Sequence, residues 1–108
     1  MDRAMSIPSQ SLVTVARWEI AAHSLDAVLA LVAELRRRSL EEPGCLGYDV
    51  FESIDPPGSA LLLIERYRDA AALDAHRGAS YYRELVFDRI LPMLAARRVE
   101  ILRPRDVG

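Results

Sequence analysis

At 108 residues, about half of them apolar and 28% charged, the chain has the size of one domain built around one hydrophobic core. Its formal net charge of −2 offers no clustered basic surface, which argues against nucleic acid as a partner. One cysteine and two histidines rule out an intrachain disulfide and supply no ligand set at zinc or iron–sulfur spacing. Neither an oxidising compartment nor a metal site is therefore expected, and a reducing cytoplasm fits.

The first residues lack the apolar run of a signal peptide, and no later stretch approaches the roughly 20 apolar residues of a membrane span. Residues 1–11 are expected as a tail, 12–104 as a single domain and 105–108 as a C-terminal tail. From Leu12 to Ile20 the chain alternates, with Leu12, Thr14, Ala16, Trp18 and Ile20 on one side and Val13, Val15, Arg17 and Glu19 on the other, the period of a strand. Ser24 is placed to cap a helix that carries Leu25, Val28, Leu29, Val32 and Leu35 at helical spacing. That helix ends before Pro43-Gly44, and the basic run Arg36 to Arg38 near its end is explained by solvation and the helix dipole.

Residues 45–53 read as a second strand, with Tyr48, Val50 and Glu52 on one face and Asp49 and Phe51 on the other. Asp55-Pro56-Pro57-Gly58 is a turn at hairpin distance from a third strand at 60–67. The unbroken apolar segment Leu61 to Ile64 predicts burial on both faces of that strand. Asp69 is expected to cap a short helix closed by Gly78 in a left-handed conformation. Ser80 is expected to cap another, with Tyr82, Leu85, Val86, Ile90 and Met93 on one face and an interruption at Pro92. Residues 99–103 alternate again as the last strand. The order β-α-β-β-α-β predicts an α+β, ferredoxin-like fold: an antiparallel four-stranded sheet with its helices on one face. The bare face, apolar along the third strand, predicts a homodimer packed sheet to sheet.

Three segments, Glu42-Pro43-Gly44-Cys45-Leu46-Gly47-Tyr48-Asp49-Val50, Leu63-Ile64-Glu65-Arg66-Tyr67 and Ala72-Leu73-Asp74-Ala75-His76, resemble the antibiotic biosynthesis monooxygenase family, which includes quinol monooxygenases. The likeness runs from about Val13 to Leu102. It implies a dimeric α+β barrel with a pocket between helices and sheet in each protomer. It also implies one of several chemistries: cofactor-free oxidation of anthrones or quinols, haem degradation or isomerisation. Fold likeness does not choose among these. The haem-degrading branch is similar in fold but uses an asparagine on the first strand, and a tryptophan and a histidine on the second helical region. The aligned positions here hold Arg17, His76 and Val86, so no cofactor is expected.

In the family pattern His76 faces the pocket, where a neutral imidazole takes a proton from a phenolic substrate or bonds an oxyanion; the plainer reading is a histidine answering the dipole at a helix end. Glu65 shares a strand face with Leu61, Leu63 and Tyr67, so its carboxylate needs a charge partner such as an arginine, or a pocket, where it would support His76 or act as base itself. Tyr48, Tyr67, Tyr81 and Tyr82 offer hydroxyl donors, and Trp18 and Phe51 offer rings to stack on a planar ligand, although aromatics at such spacings also build plain cores. Tyr48, Tyr82, Trp18 and Phe51 are the candidate substrate-binding residues. Cys45 has no histidine or basic neighbour to activate it. The expected partners are a small aromatic or quinone-like molecule, O2 and a second copy of the chain, with no membrane. A non-catalytic ligand-binding dimer and an isomerase or cyclase on the same fold stand as alternatives.

Overall fold

The computed structural model describes residues 10–108, so most of the expected N-terminal tail, residues 1–11, lies outside the described residues. Strand β1 (Leu12–Ile20) buries Thr14, Ala16 and Trp18 on one face and leaves Arg17 and Glu19 exposed on the other. Helix α1 (Leu25–Leu40) follows and buries Val28, Leu31, Val32, Leu35 and Ser39, a stripe at helical spacing. Ser24 holds the cap position, but its hydroxyl makes no capping bond; its carbonyl accepts the Val28 N–H at 2.9 Å.

β2 (Cys45–Ile54) and β3 (Pro57–Tyr67) form an antiparallel hairpin. Its turn places Gly58 at φ +68°, a conformation that glycine adopts without steric cost. In β3, Leu61, Leu63 and Tyr67 are fully buried, each leucine contributing about 1.5–3 kcal/mol. The alternate residues Leu62 and Ile64 are only half-buried.

Helix α2 (Ala70–Gly78) begins where β3 ends, and Asp69 Oδ1 accepts the Ala72 N–H at 2.9 Å, as a capping aspartate does. Gly78 does not close it in a left-handed turn. Ala79, extended at φ −71° and ψ 139°, ends α2 and caps the next helix, so Ser80 is a first helical residue and not the cap.

α3 (Ser80–Tyr82) runs into a π-helical stretch, Arg83–Ile90, and a 3-10 turn, Leu91–Met93, that accommodates Pro92 near its start. Tyr81, Leu85, Val86 and Ile90 are buried here, at steps of four and five residues that suit i→i+5 bonding; Tyr82 is half-buried.

β4 (Leu94–Leu102) starts five residues earlier than its alternation suggested. The sheet has the order β2-β3-β1-β4, with all pairs antiparallel, and the core joins one sheet face to both helical regions. This is the ferredoxin-like α+β arrangement. No helix among the described residues is long and apolar enough to cross a membrane.

Candidate active site

The site forms where the end of β3, the turn between α1 and β2, and the two later helices meet. The Arg68 N–H donates to the Gly44 carbonyl at 2.8 Å, tying the exit of β3 to the Glu42-Pro43-Gly44 turn. Gly44 has room for no side chain: a Cβ there would lie 2.3 Å from the Cβ of Ala72. This close approach brings α2 against the turn and carries its buried face, Ala72, Leu73 and His76, inward.

His76 is 2% exposed. Its Nδ1 lies 3.1 Å from Glu42 Oε2, and its Nε2 lies 3.7 Å from Glu65 Oε1. A carboxylate only accepts, so the Glu42 contact places an imidazole proton on Nδ1, while Nε2, at 3.7 Å from Glu65, makes no hydrogen bond among the described residues. Glu42 also accepts a hydrogen bond from the Tyr81 hydroxyl. Tyr81 in turn lies 3.4 Å from Ser39 Oγ and carries the Arg38 guanidinium 4.7 Å above its ring. The histidine ring is further enclosed by Tyr67 and Tyr82, with centroids 5.2 and 4.8 Å away.

Glu65 accepts a hydrogen bond from the Tyr67 hydroxyl and pairs with no arginine among the described residues. Burial pushes its carboxyl above the ordinary glutamate range, while the Tyr67 bond and the nearby imidazole draw it part of the way back. Burial likewise holds the Tyr67, Tyr81 and Tyr48 hydroxyls above the usual tyrosine range; the first two donate to Glu65 and Glu42. Cys45 is buried and its thiol is pushed up by the same cause, which keeps it unreactive.

Beside these groups lies a pocket of about 380 Å³, counting its open mouth. Its floor is the helix-facing side of the sheet, from Thr14, Ala16 and Trp18 to Glu65 and Tyr48; Leu35, Leu73, His76 and Val86 wall it from the helices. Arg77, Tyr82, Arg97 and Val99 also line it, and both arginines are exposed. The structure thus brings together His76, Glu65, Trp18, Tyr48 and Tyr82. Phe51 is elsewhere: it pairs with Leu62 on the opposite sheet face, 53% exposed, because a strand's period of two gives it the opposite orientation from Tyr48. Arg17, aligned above with the asparagine of haem-degrading relatives, faces that outer side as well. Of the side chains gathered here, Glu42 has no role in the sequence reading, and Tyr81 stands there only as one of four hydroxyl donors. Glu42 opens the turn motif, a visible signal, but its contact with His76 spans 34 positions. Among the described residues no group of three or more His, Cys, Asp or Glu side chains converges as metal ligands do.

A carboxylate-oriented imidazole beside a pocket lined by both apolar and polar side chains is suited to proton abstraction. Known proteins share this fold. Rv0793 of Mycobacterium tuberculosis, named as a candidate monooxygenase, is 40% identical over 68 residues, which span 63% of this chain and 65% of that protein. Its solved structure superposes with a TM-score of 0.83 at 32% identity, covering 92% of this chain and 99% of the other. A crystal structure described as an antibiotic biosynthesis monooxygenase gives 0.80 at 29% identity, covering 88% and 99%. Protein SO0527 from Shewanella oneidensis gives 0.82 at 26% identity, covering 89% and 92%. The antibiotic biosynthesis monooxygenase family itself matches residues 11–86, which include β1 through α2, His76, Glu65 and the pocket floor they share. The chain belongs to the antibiotic biosynthesis monooxygenase family.

Proposed function

We propose that this chain is a cofactor-independent monooxygenase that oxidises an electron-rich polycyclic phenol, anthrone or quinol with O2, as a cytoplasmic homodimer. One observation carries the reading. His76 is buried in the pocket wall with Nδ1 committed to Glu42, which leaves Nε2 as a proton acceptor on the side of Glu65 and the pocket.

The chemistry asks little else of the protein. A substrate C–H or O–H loses its proton to Nε2, and the resulting anion gives one electron to O2. The two radicals combine as a hydroperoxide anion, which takes the proton back from the imidazolium; loss of water then leaves a ketone or quinone. For an anthrone the balance is CH2 plus O2 to C=O plus H2O. Apolar walls from Leu35, Leu73 and Val86 keep bulk water from the reactive anion, and Tyr48 and Tyr82 line the pocket where the developing oxyanion needs donors. The dimer is supported by the half-buried Leu62 and Ile64 and the exposed Phe51 and Leu102 on the outer sheet face. The single buried thiol of Cys45 suits a reducing compartment.

Oxygen uptake measured against a panel of anthrones and quinols tests the reading. The protein should consume one O2 per anthrone, and His76→Ala should lower kcat by about 100-fold or more. Tight binding with no oxygen uptake by any member would sink the oxygenase reading in favour of a ligand-binding dimer.

A further inference from the structure

Beside one end of the pocket lies a buried hydrogen-bond donor with no partner among the described residues. Trp18 is 3% exposed and lines the pocket, and among the described residues its indole Nε1 is the one buried side-chain nitrogen or oxygen without a partner. An indole N–H can only donate, so an acceptor must come from outside the protein's own side chains and backbone. Orphans of this kind are rare in folded proteins and call for a cause.

A second donor stands beside it. Strand register places Arg97 of β4 directly across from Trp18 on the same sheet face, and Arg97 lines the same pocket. Its guanidinium lies 5.7 Å from the centroid of the Phe87 ring and pairs with no carboxylate among the described residues. The acid–base groups are at the other end. Glu65 faces Thr14 across the β1–β3 ladder, four residues from Trp18, so at ~3.3 Å per residue the two strand positions are roughly 13 Å apart. Between them the cross-strand pair Ala16 and Val99 leaves an apolar floor with one small side chain.

We propose that the pocket takes an elongated planar aromatic molecule with an acidic hydroxyl or C–H at the His76 end and an sp2 oxygen, ketone or carboxylate, at the Trp18 end. The Trp18 indole N–H and the Arg97 guanidinium donate to that oxygen. This inference rests on the reading of the pocket as a site for acidic aromatics, and it adds the far end of the molecule. A pocket built around a donor rejects analogues that lack the acceptor, because the donor is then buried unpaired.

Trp18 is the sole tryptophan of the 108 residues, so this chain labelled with 15N has one indole N–H resonance. Three probes share a bicyclic frame and an acidic hydroxyl: 6-hydroxy-2-naphthoate, 6-acetyl-2-naphthol and 2-naphthol, which lacks the acceptor. The first two should bind about tenfold or more tightly than the third and move the indole resonance downfield at saturation. Trp18→Phe should erase most of that preference, and Arg97→Gln should weaken the carboxylate most. The titration of the unaltered protein stands alone if Trp18→Phe folds poorly. Equal affinities for the three probes, no binding by any of them, or an indole resonance unmoved at saturation would each overturn the inference. Anthrone turnover together with such indifference overturns the inference and leaves the oxygenase reading standing. A selective indole shift with no oxygen uptake on any substrate does the reverse.

Discussion

Each face of the sheet departs from the usual arrangement of side chains in its own way. The face covered by helices buries Thr14, Glu65 and His76 among its apolar residues, whereas the face without helices presents Val13, Val15, Leu62 and Ile64 half-buried, with Phe51 and Leu102 exposed. Burying a carboxylate is costly unless something answers it, and here a tyrosine hydroxyl, an imidazole and a pocket do. Leaving aliphatic side chains half-exposed on a central strand is equally unprofitable unless a surface covers them. Polar groups inside mark the candidate site; apolar groups outside mark the proposed dimer contact.

Leu62 gives the largest test of that contrast. On the outer face it lies between Arg17 of β1 and Phe51 of β2. In an isolated protomer, Leu62→Glu sets a carboxylate beside Arg17 and is tolerated; in a sheet-to-sheet dimer it buries that carboxylate against an apolar surface. The expected penalty is about 3 kcal/mol or more of association energy, a rise in the dimer dissociation constant of roughly 100-fold. Sedimentation should show a protomer of native fold, with the Trp18 indole resonance still dispersed. If Leu62→Glu sediments as the unaltered protein does, the outer face is not the interface.

On the inner face the corresponding constraint is the contact of Gly44 with Ala72. Gly44 is not at positive φ, so Gly44→Ala costs nothing in the backbone and acts through space alone, driving α2 away from the turn that holds Glu42. The expected loss is about 1–3 kcal/mol in thermal unfolding, with a fall in turnover as His76 leaves Glu42. Ala72→Gly, which by itself costs about 1 kcal/mol of helix propensity, should restore most of both in the double variant. A Gly44→Ala protein that melts and turns over normally would show that the turn does not position the histidine.

Most of the fold, and part of the site, was legible in the chain because alternation and helical spacing are local. Leu12 to Ile20 and the α1 stripe declare themselves, and parity along β2 separates Tyr48 from Phe51, so the strand's own period keeps the two out of one pocket. The later helix departs from the period its sequence suggests. Judged by a 3.6-residue period, Tyr82 and Met93 join the buried face; the actual run of Tyr81, Leu85, Val86 and Ile90 follows wider π-helical turns, which turns Tyr81 inward to Glu42. Glu42 itself lay beyond reach, since no local pattern tells that a turn residue will meet a histidine 34 positions later. Gly78, next to a helix that starts afresh at Ser80, had no need of the left-handed stop that an isolated helix end would use.

The smallest effect expected is also the one with a decisive sign. Burial raises the folded-state pKa of Glu65 above its ordinary value near 4.5, so the group's stabilising contribution is fully present below that value and is lost as pH rises through the raised one. Glu65→Gln carries no charge to bury and still accepts the Tyr67 hydroxyl hydrogen. It should therefore melt higher than the unaltered protein at pH 7 to 8, by something of order 1 kcal/mol, and the advantage should shrink to nothing as pH falls toward about 4.5. Turnover should fall in the same variant, since the carboxylate beside Nε2 is gone. A Glu65→Gln protein less stable at pH 8 than at pH 5, relative to the parent, would mean that the tyrosine and imidazole outweigh desolvation. The inner face would then hold its carboxylate for stability, and the contrast between the two faces would lose its functional meaning.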